Sequence, residues 1–246
     1  VASIAKREGA PEGPPRPIAD ALDSVLRDIT SPAGGPGVAA THFASLDEAL
    51  AGGLHPGEYA LLGAPTSVGK TALALQWARM TAKTGRGVLI CSREMPVAAI
   101  VRRLLAQECQ IDSKHLKTGK LSVIEKTMLD LGQHVLRPLP IWITDRTGTM
   151  EELMDAVAAY QPGVLSLLIC DYVQLMRLAS RNYTARERVS EVSKELRRLA
   201  IETGIPVLGL SSLSRPERGS GGSRGIHDLK ESGDLESDAD IVFILE

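Results

Sequence analysis

The 246-residue sequence has room for one large α/β domain and an extra segment, but not for two full domains. Hydrophobic residues make up 43 % and charged residues 24 %, a balance typical of soluble globular proteins that excludes a fibre or a largely disordered chain. The formal net charge of −2 excludes a surface that coats nucleic acid all over, so any DNA contact is confined to a few loops.

The three cysteines, Cys91, Cys109 and Cys170, have no metal-ligand spacing. Two of them, at the ends of apolar runs, read as small buried side chains, and a reducing cytoplasm is expected. No apolar run reaches the ~18 residues of a membrane span, and the N-terminal segment lacks a secretory core, so the expectation is a cytoplasmic protein without a membrane partner.

In chain order, residues 11–17 (PEGPPRP) and 31–37 (SPAGGPG) read as linkers. Between them, at about 18–30, Ile18, Ala21, Leu22, Val25 and Ile29 recur at helical spacing. That apolar stripe packs either on its own domain or on a neighbouring subunit. The flexible flanks favour an arm, giving residues 1–40 as an N-terminal arm with a linker helix and 41–246 as the main domain.

From residue 58 short apolar runs alternate with amphipathic stretches. Strands are predicted at Glu58–Gly63, Gly87–Cys91, Leu139–Thr144, Val164–Cys170, Pro206–Leu210 and Ile241–Leu245. Helices are predicted at Lys70–Lys83, at Met95–Gln107 opened by Pro96, and after the capping boxes Thr149/Glu152 and Thr184/Glu187. Residues 113–136 are weakly helical, with interruptions at Gly119 and Gly132. Alternating strands and helices at this spacing imply right-handed βαβ units in a mostly parallel, doubly wound sheet, whose ligands bind at the carboxyl ends of the strands.

Gly63-Ala64-Pro65-Thr66-Ser67-Val68-Gly69-Lys70-Thr71 falls between a predicted strand and a predicted helix, the setting of a phosphate-binding loop (P-loop). Gly63, Ser67, Val68, Gly69 and the helix start through Ala72 would let backbone N–H groups curl round phosphates, helped by the positive end of the helix dipole. Lys70 would reach the β- and γ-phosphates of ATP, and the Thr71 hydroxyl would hold Mg²⁺. Ala64 stands where the strict pattern has glycine, which is acceptable if its φ stays negative. Asp171 closes the apolar run 164–170 and either supports the Mg²⁺ shell through water or caps a strand end.

Several stretches together resemble the C-terminal motor domain of DnaB-type replicative helicases: GAPTSVGKT (63–71), SREMP (92–96), ICDYVQLM (169–176), LKESGDLESDADIV (229–242) and the lead-in ASLDEALAGGLHPGEY (44–59). The resemblance runs from about residue 18 to 246 and implies a RecA-like P-loop NTPase fold and an ATP hydrolase coupled to DNA unwinding. It makes Glu94 the general base that polarises the attacking water, beside Lys70 and Asp171 as catalytic residues. From the residues alone, Glu94 is equally readable as a helix-start carboxylate stabilised by the dipole. The chemical argument for the base role places Glu94 on the strand next to the P-loop strand.

The resemblance also implies a homo-oligomer, a hexameric ring on single-stranded DNA, with primase or a helicase loader as further partners. The family's arginine finger and lysine lie on a hairpin past the SDAD strand, beyond Glu246. A family glutamine that senses the γ-phosphate is replaced by Ser212 in LSSL. Two predicted loops carry candidate DNA contacts, Arg177, Arg181 and Arg186 in or beside one, Arg215, Arg218 and Arg224 in the other. A single arginine on a loop is usually solvated surface, and it is the location on the ligand edge of the sheet that favours the set. Two other functions stay open: a RecA/RadA-like recombination ATPase, and a nucleotide-binding ring protein with weak turnover.

Overall fold

The computed structural model describes residues 17–19, 22, 25, 26, 29, 37–178, 183–213 and 238–246. The chain divides into two units, Val1–Pro36 and Gly37–Glu246. In the first, residues 18, 19, 22, 25, 26 and 29 are helical, and Ile18, Leu22, Val25, Leu26 and Ile29 are exposed. Ala21 of the predicted stripe lies outside the described residues.

The second unit is built on six parallel strands: β1 (Tyr59–Ala64), β2 (Gly87–Ser92), β3 (Ile141–Thr144), β4 (Leu165–Asp171), β5 (Val207–Ser212) and β6 (Ile241–Ile244). Their lateral order is β3-β2-β4-β5-β1-β6. The helices are α1 (Ala44–Ala49), α2 (Lys70–Lys83), α3 (Val97–Cys109), α4 (Ser113–Thr118), α5 (Val123–Leu136), α6 (Met150–Ala158) and α7 (Ala185–Thr203).

Because strand side chains alternate, β4 feeds two cores at once. Leu165, Leu168 and Cys170 face α6 and α7, against Leu153, Val157, Val192 and Leu196. Leu167 and Ile169 face α2 and α3, against Leu75, Trp77, Ile100 and Leu104. Each buried Leu or Ile contributes about 1.5–3 kcal/mol relative to exposure, so a strand covered on both faces reads as a continuous apolar run.

Residues 113–136 form two helices separated at Gly119, one of the two expected interruptions. Gly119 takes φ 71° and ends α4, and Ser122 with Glu125 forms a capping box that starts α5. Gly132 does not interrupt α5, since a Cβ there would sit 2.2 Å from Cys109 Sγ, and its hydrogen lets α3 and α5 close on each other. Pro96 is the N-cap of α3 rather than its first helical residue, and α3 begins at Val97.

Candidate nucleotide site

The carboxyl edge of the sheet holds the site. β1 runs extended through Ala64, and the positive φ angles of the following loop fall on Ser67 (70°) and Gly69 (119°). Alanine therefore fits at 64 because the left-handed turns lie further on. Gly69 is the N-cap of α2, and the first helical bond runs from Leu73 N–H to its carbonyl at 2.9 Å. The N–H groups at the start of α2 lack intrahelical acceptors and would meet an anion with the helix dipole behind them.

A cavity of about 370 Å³ opens over this loop, lined among others by Ser67, Gly69, Lys70, Thr71, Glu94 and Ser212. Lys70 is 8 % exposed and its Nζ stands 5.1 Å from the centre of the Tyr172 ring. Burial pulls its pKa down, while the charges of Asp171 and Glu94 oppose that.

Asp171 ends β4 in the same place. One carboxylate oxygen accepts from Thr71 Oγ1 at 3.0 Å; the other is buried with no hydrogen-bond partner among the described residues. Burial, assisted by the charge of Glu94, pushes the Asp171 pKa up to about 6, against the Thr71 hydrogen bond and the charges of Lys70 and Arg103. Its side chain bonds Thr71 and not a strand end. A buried carboxylate oxygen without a donor, beside a hydroxyl, suits a hydrated divalent cation, so the residues present fit Mg²⁺.

Glu94 sits on a tightly held turn. Arg93 N–H donates to the Asp171 carbonyl at 2.7 Å, Met95 N–H to Ser92 Oγ at 3.0 Å, and Val97 N–H to Asp145 Oδ2 at 3.0 Å. Asp145 thus caps α3, which leaves Glu94 exposed on the cavity wall. One expectation is corrected: β2, which delivers Glu94, does not lie next to the P-loop strand. β1 lies between β5 and β6, and β2 between β3 and β4. The crossover through α2 carries the chain past two strand positions, and Glu94 reaches the cavity through the turn beyond β2.

Of the other predicted phosphate-loop residues, Gly63 is buried within β1, Val68 is exposed on the loop, and Ala72 is exposed on α2, where its carbonyl accepts from Gln107 Nε2 at 2.7 Å. None of these three lines the cavity. Arg103, not anticipated from sequence, does line it. It sits on α3 between Ile100 and Leu104, both buried, and helix side chains lean toward the N-terminus, here toward Glu94. The available signal is a cation on the flank of an otherwise buried face, nine residues after the carboxylate.

Arg177 and Arg186 are exposed and line no part of the cavity. Arg177 bridges Thr149, with Met150 N–H donating to its carbonyl at 2.9 Å and its own N–H donating to the Gly148 carbonyl at 3.1 Å. Arg181, Arg215, Arg218 and Arg224 lie outside the described residues. Gln174, 8 % exposed, donates to Ser211 Oγ at 2.7 Å and so joins the segment after β4 to the end of β5, beside Ser212.

A parallel sheet with a phosphate loop, a Thr–Asp pair and a facing glutamate defines a RecA-like P-loop domain. The description "DnaB-like helicase C terminal domain" matches residues 37–246, and the chain belongs to that family. It is 35 % identical over 209 residues to replicative DNA helicase DnaB of Leifsonia xyli subsp. xyli (strain CTCB07), and 36 % identical over 210 residues to replicative DNA helicase DnaC of Bacillus subtilis (strain 168). Each match covers 83 % of this chain and 46 % of the relative, so the chain spans about half the length of these relatives. Among solved structures it is similar to a separately solved ATPase domain, with TM-score 0.85 and 28 % identity over 93 % of this chain and 82 % of that one. It is also similar to a DnaB-like replicative helicase solved for its interactions with primase, with TM-score 0.83 and 28 % identity over 93 % of this chain and 57 % of that one.

Proposed function

We propose that this chain is the ATP-hydrolysing motor of a ring-forming replicative DNA helicase, acting in the cytoplasm. The observation that carries the reading is the convergence of Lys70, Thr71 and Glu94 on one cavity at the carboxyl edge of the sheet, with Asp171 buried behind it and hydrogen-bonded to Thr71. Loop amides and the Lys70 ammonium hold the β- and γ-phosphates. Thr71 and Asp171 would hold Mg²⁺, which would neutralise phosphate charge. Glu94 accepts a proton from the attacking water, and Arg103 adds a second cation at the cavity wall.

The work on DNA is assigned to Arg177 and Arg186 together with Arg181, Arg215, Arg218 and Arg224, which track phosphates of a single strand without reading bases. Among the described residues no helix is long and apolar enough to cross a membrane. Exposed apolar residues on the N-terminal helix (Ile18, Leu22, Val25, Ile29) and on α5 (Ile124, Met128, Leu131, Val135) supply surface that a hexameric ring would cover. Primase or a helicase loader is the further partner proposed, by likeness to the family.

Phosphate release from ATP, with and without single-stranded DNA, tests this against a Lys70→Ala control, and displacement on a forked duplex tests unwinding. Release above the control that rises with DNA is expected; indistinguishable rates would overturn the motor. Ser212 in the cavity wall favours one second reading, a ring protein that binds nucleotide with weak turnover, and the same assay separates the two.

A further inference from the structure

Two of the three cysteines stand opposite each other. Cys91 on β2 pairs in register with Cys170 on β4, and both side chains are buried in the core beneath α6 and α7. All three cysteines are free. Adjacent strands run about 4.8 Å apart, inside the Cα separation a disulfide requires. Cys109 is on α3 against Gly132, away from the pair.

The pair lies one residue below the chemistry. Ser92 and Asp171 follow directly and pair with each other. Cys91 Sγ also contacts Thr147 Oγ1 at 2.7 Å, and Thr147 is 8 % exposed in the loop between β3 and α6. That loop has two other attachments. Asp145 caps α3 and takes Arg93 Nη1 on its carbonyl at 2.8 Å, which seats the Glu94 turn. Gly148 and Met150 bond the backbone of Arg177.

We propose that Cys91 and Cys170 are a peroxide-sensitive thiol pair that closes to a reversible cross-strand disulfide, frees Thr147 and slackens the loop that joins the Glu94 turn to Arg177. A hydroperoxide is the oxidant. Cys91 sulfur, which borders the loop, attacks it: an S–O bond forms, the O–O bond breaks, and the displaced oxygen leaves as water, or as an alcohol from an organic peroxide. Cys170 sulfur then attacks the sulfenic acid, the S–S bond forms, the S–O bond breaks, and hydroxide leaves as water with the Cys170 proton. The two sulfurs lose two electrons in total, and a dithiol returns them. The effect on turnover rests on the ATPase reading, whereas the disulfide itself does not.

The test treats the full chain with hydrogen peroxide, maps linked peptides by mass spectrometry after alkylation, and measures phosphate release from ATP. A peptide joining Cys91 to Cys170 is expected, with Cys109 still open to alkylation once the chain is unfolded. Release should fall about tenfold, the equivalent of one buried hydrogen bond, and return with dithiothreitol. Cys91→Ala and Cys170→Ala should each keep their rate through the treatment. Free thiols at both positions after treatment, a linked chain with unchanged turnover, or variants as sensitive as the parent would each overturn the proposal. A chain that releases no phosphate before treatment counts against the ATPase reading instead, and the peptide map alone then decides the thiol pair.

Discussion

Asp171→Asn should stabilise the nucleotide-free protein, and by an amount that depends on pH. The side chain is 3 % exposed, and its pKa rises from 3.8 to about 6 on folding, chiefly through burial. A raised folded pKa means that the unfolded chain gives up its proton first. Below about pH 4 both states are protonated and the site costs nothing; between about 4 and 6 stability is lost as pH rises; above about 6 the full penalty stands. A difference of about two in pKa corresponds to about 3 kcal/mol, and the attraction of Lys70 and Arg103 is already contained in it. Asparagine removes the ionisation in both states while keeping an oxygen for the Thr71 hydroxyl. Urea denaturation without nucleotide or divalent cation should find the variant more stable by up to about 3 kcal/mol at neutral pH and nearly equal to the parent near pH 4. A stability difference that is flat in pH, or larger toward acid, would refute the burial argument.

Glu94→Gln should bind nucleotide like the parent while phosphate release falls roughly 10²–10⁴-fold; a parallel loss of binding would make Glu94 a nucleotide-holding group instead. Gly69→Ala should cost about 1–2 kcal/mol through its backbone alone, because φ is 119° and a Cβ would meet nothing within 4 Å; an unchanged urea midpoint would contradict this. Gly132→Ala should lower stability by about 1–3 kcal/mol by overpacking, since its Cβ would fall 2.2 Å from Cys109 Sγ, and a Cys109→Ala background should recover most of the loss.

Local pattern makes the strands and the phosphate loop legible. Strands covered on both faces are apolar throughout, and a loop that must wrap phosphates needs small residues between a strand and a helix. Lateral position is a different kind of information. Nothing in Gly87–Ser92 encodes that two strands intervene between it and Tyr59–Ala64, so sequence reasoning gives Glu94 the wrong neighbour. Arg103 escapes such reasoning because it reaches the cavity only once α3 is laid against the sheet. The division of 113–136 is legible in principle: Ser122 and Glu125 are a capping box like those at Thr149 and Thr184. The assignment of Lys70, Thr71, Glu94 and Asp171 to one site comes from motif order and resemblance, whereas the cavity that gathers Lys70, Thr71 and Glu94, with Asp171 bonded to Thr71, depends on tertiary structure.

Strand order also bears on biosynthesis. β1 carries the phosphate loop, yet Tyr59 pairs with Val207, and its N–H donates to Asp240, 181 residues downstream. A nascent chain therefore emerges with the loop early and must wait for both lateral supports. Nucleotide retention should therefore report completion: prematurely terminated chains that end before Val207 would bear an intact motif on a β1 that lacks both of its neighbouring strands.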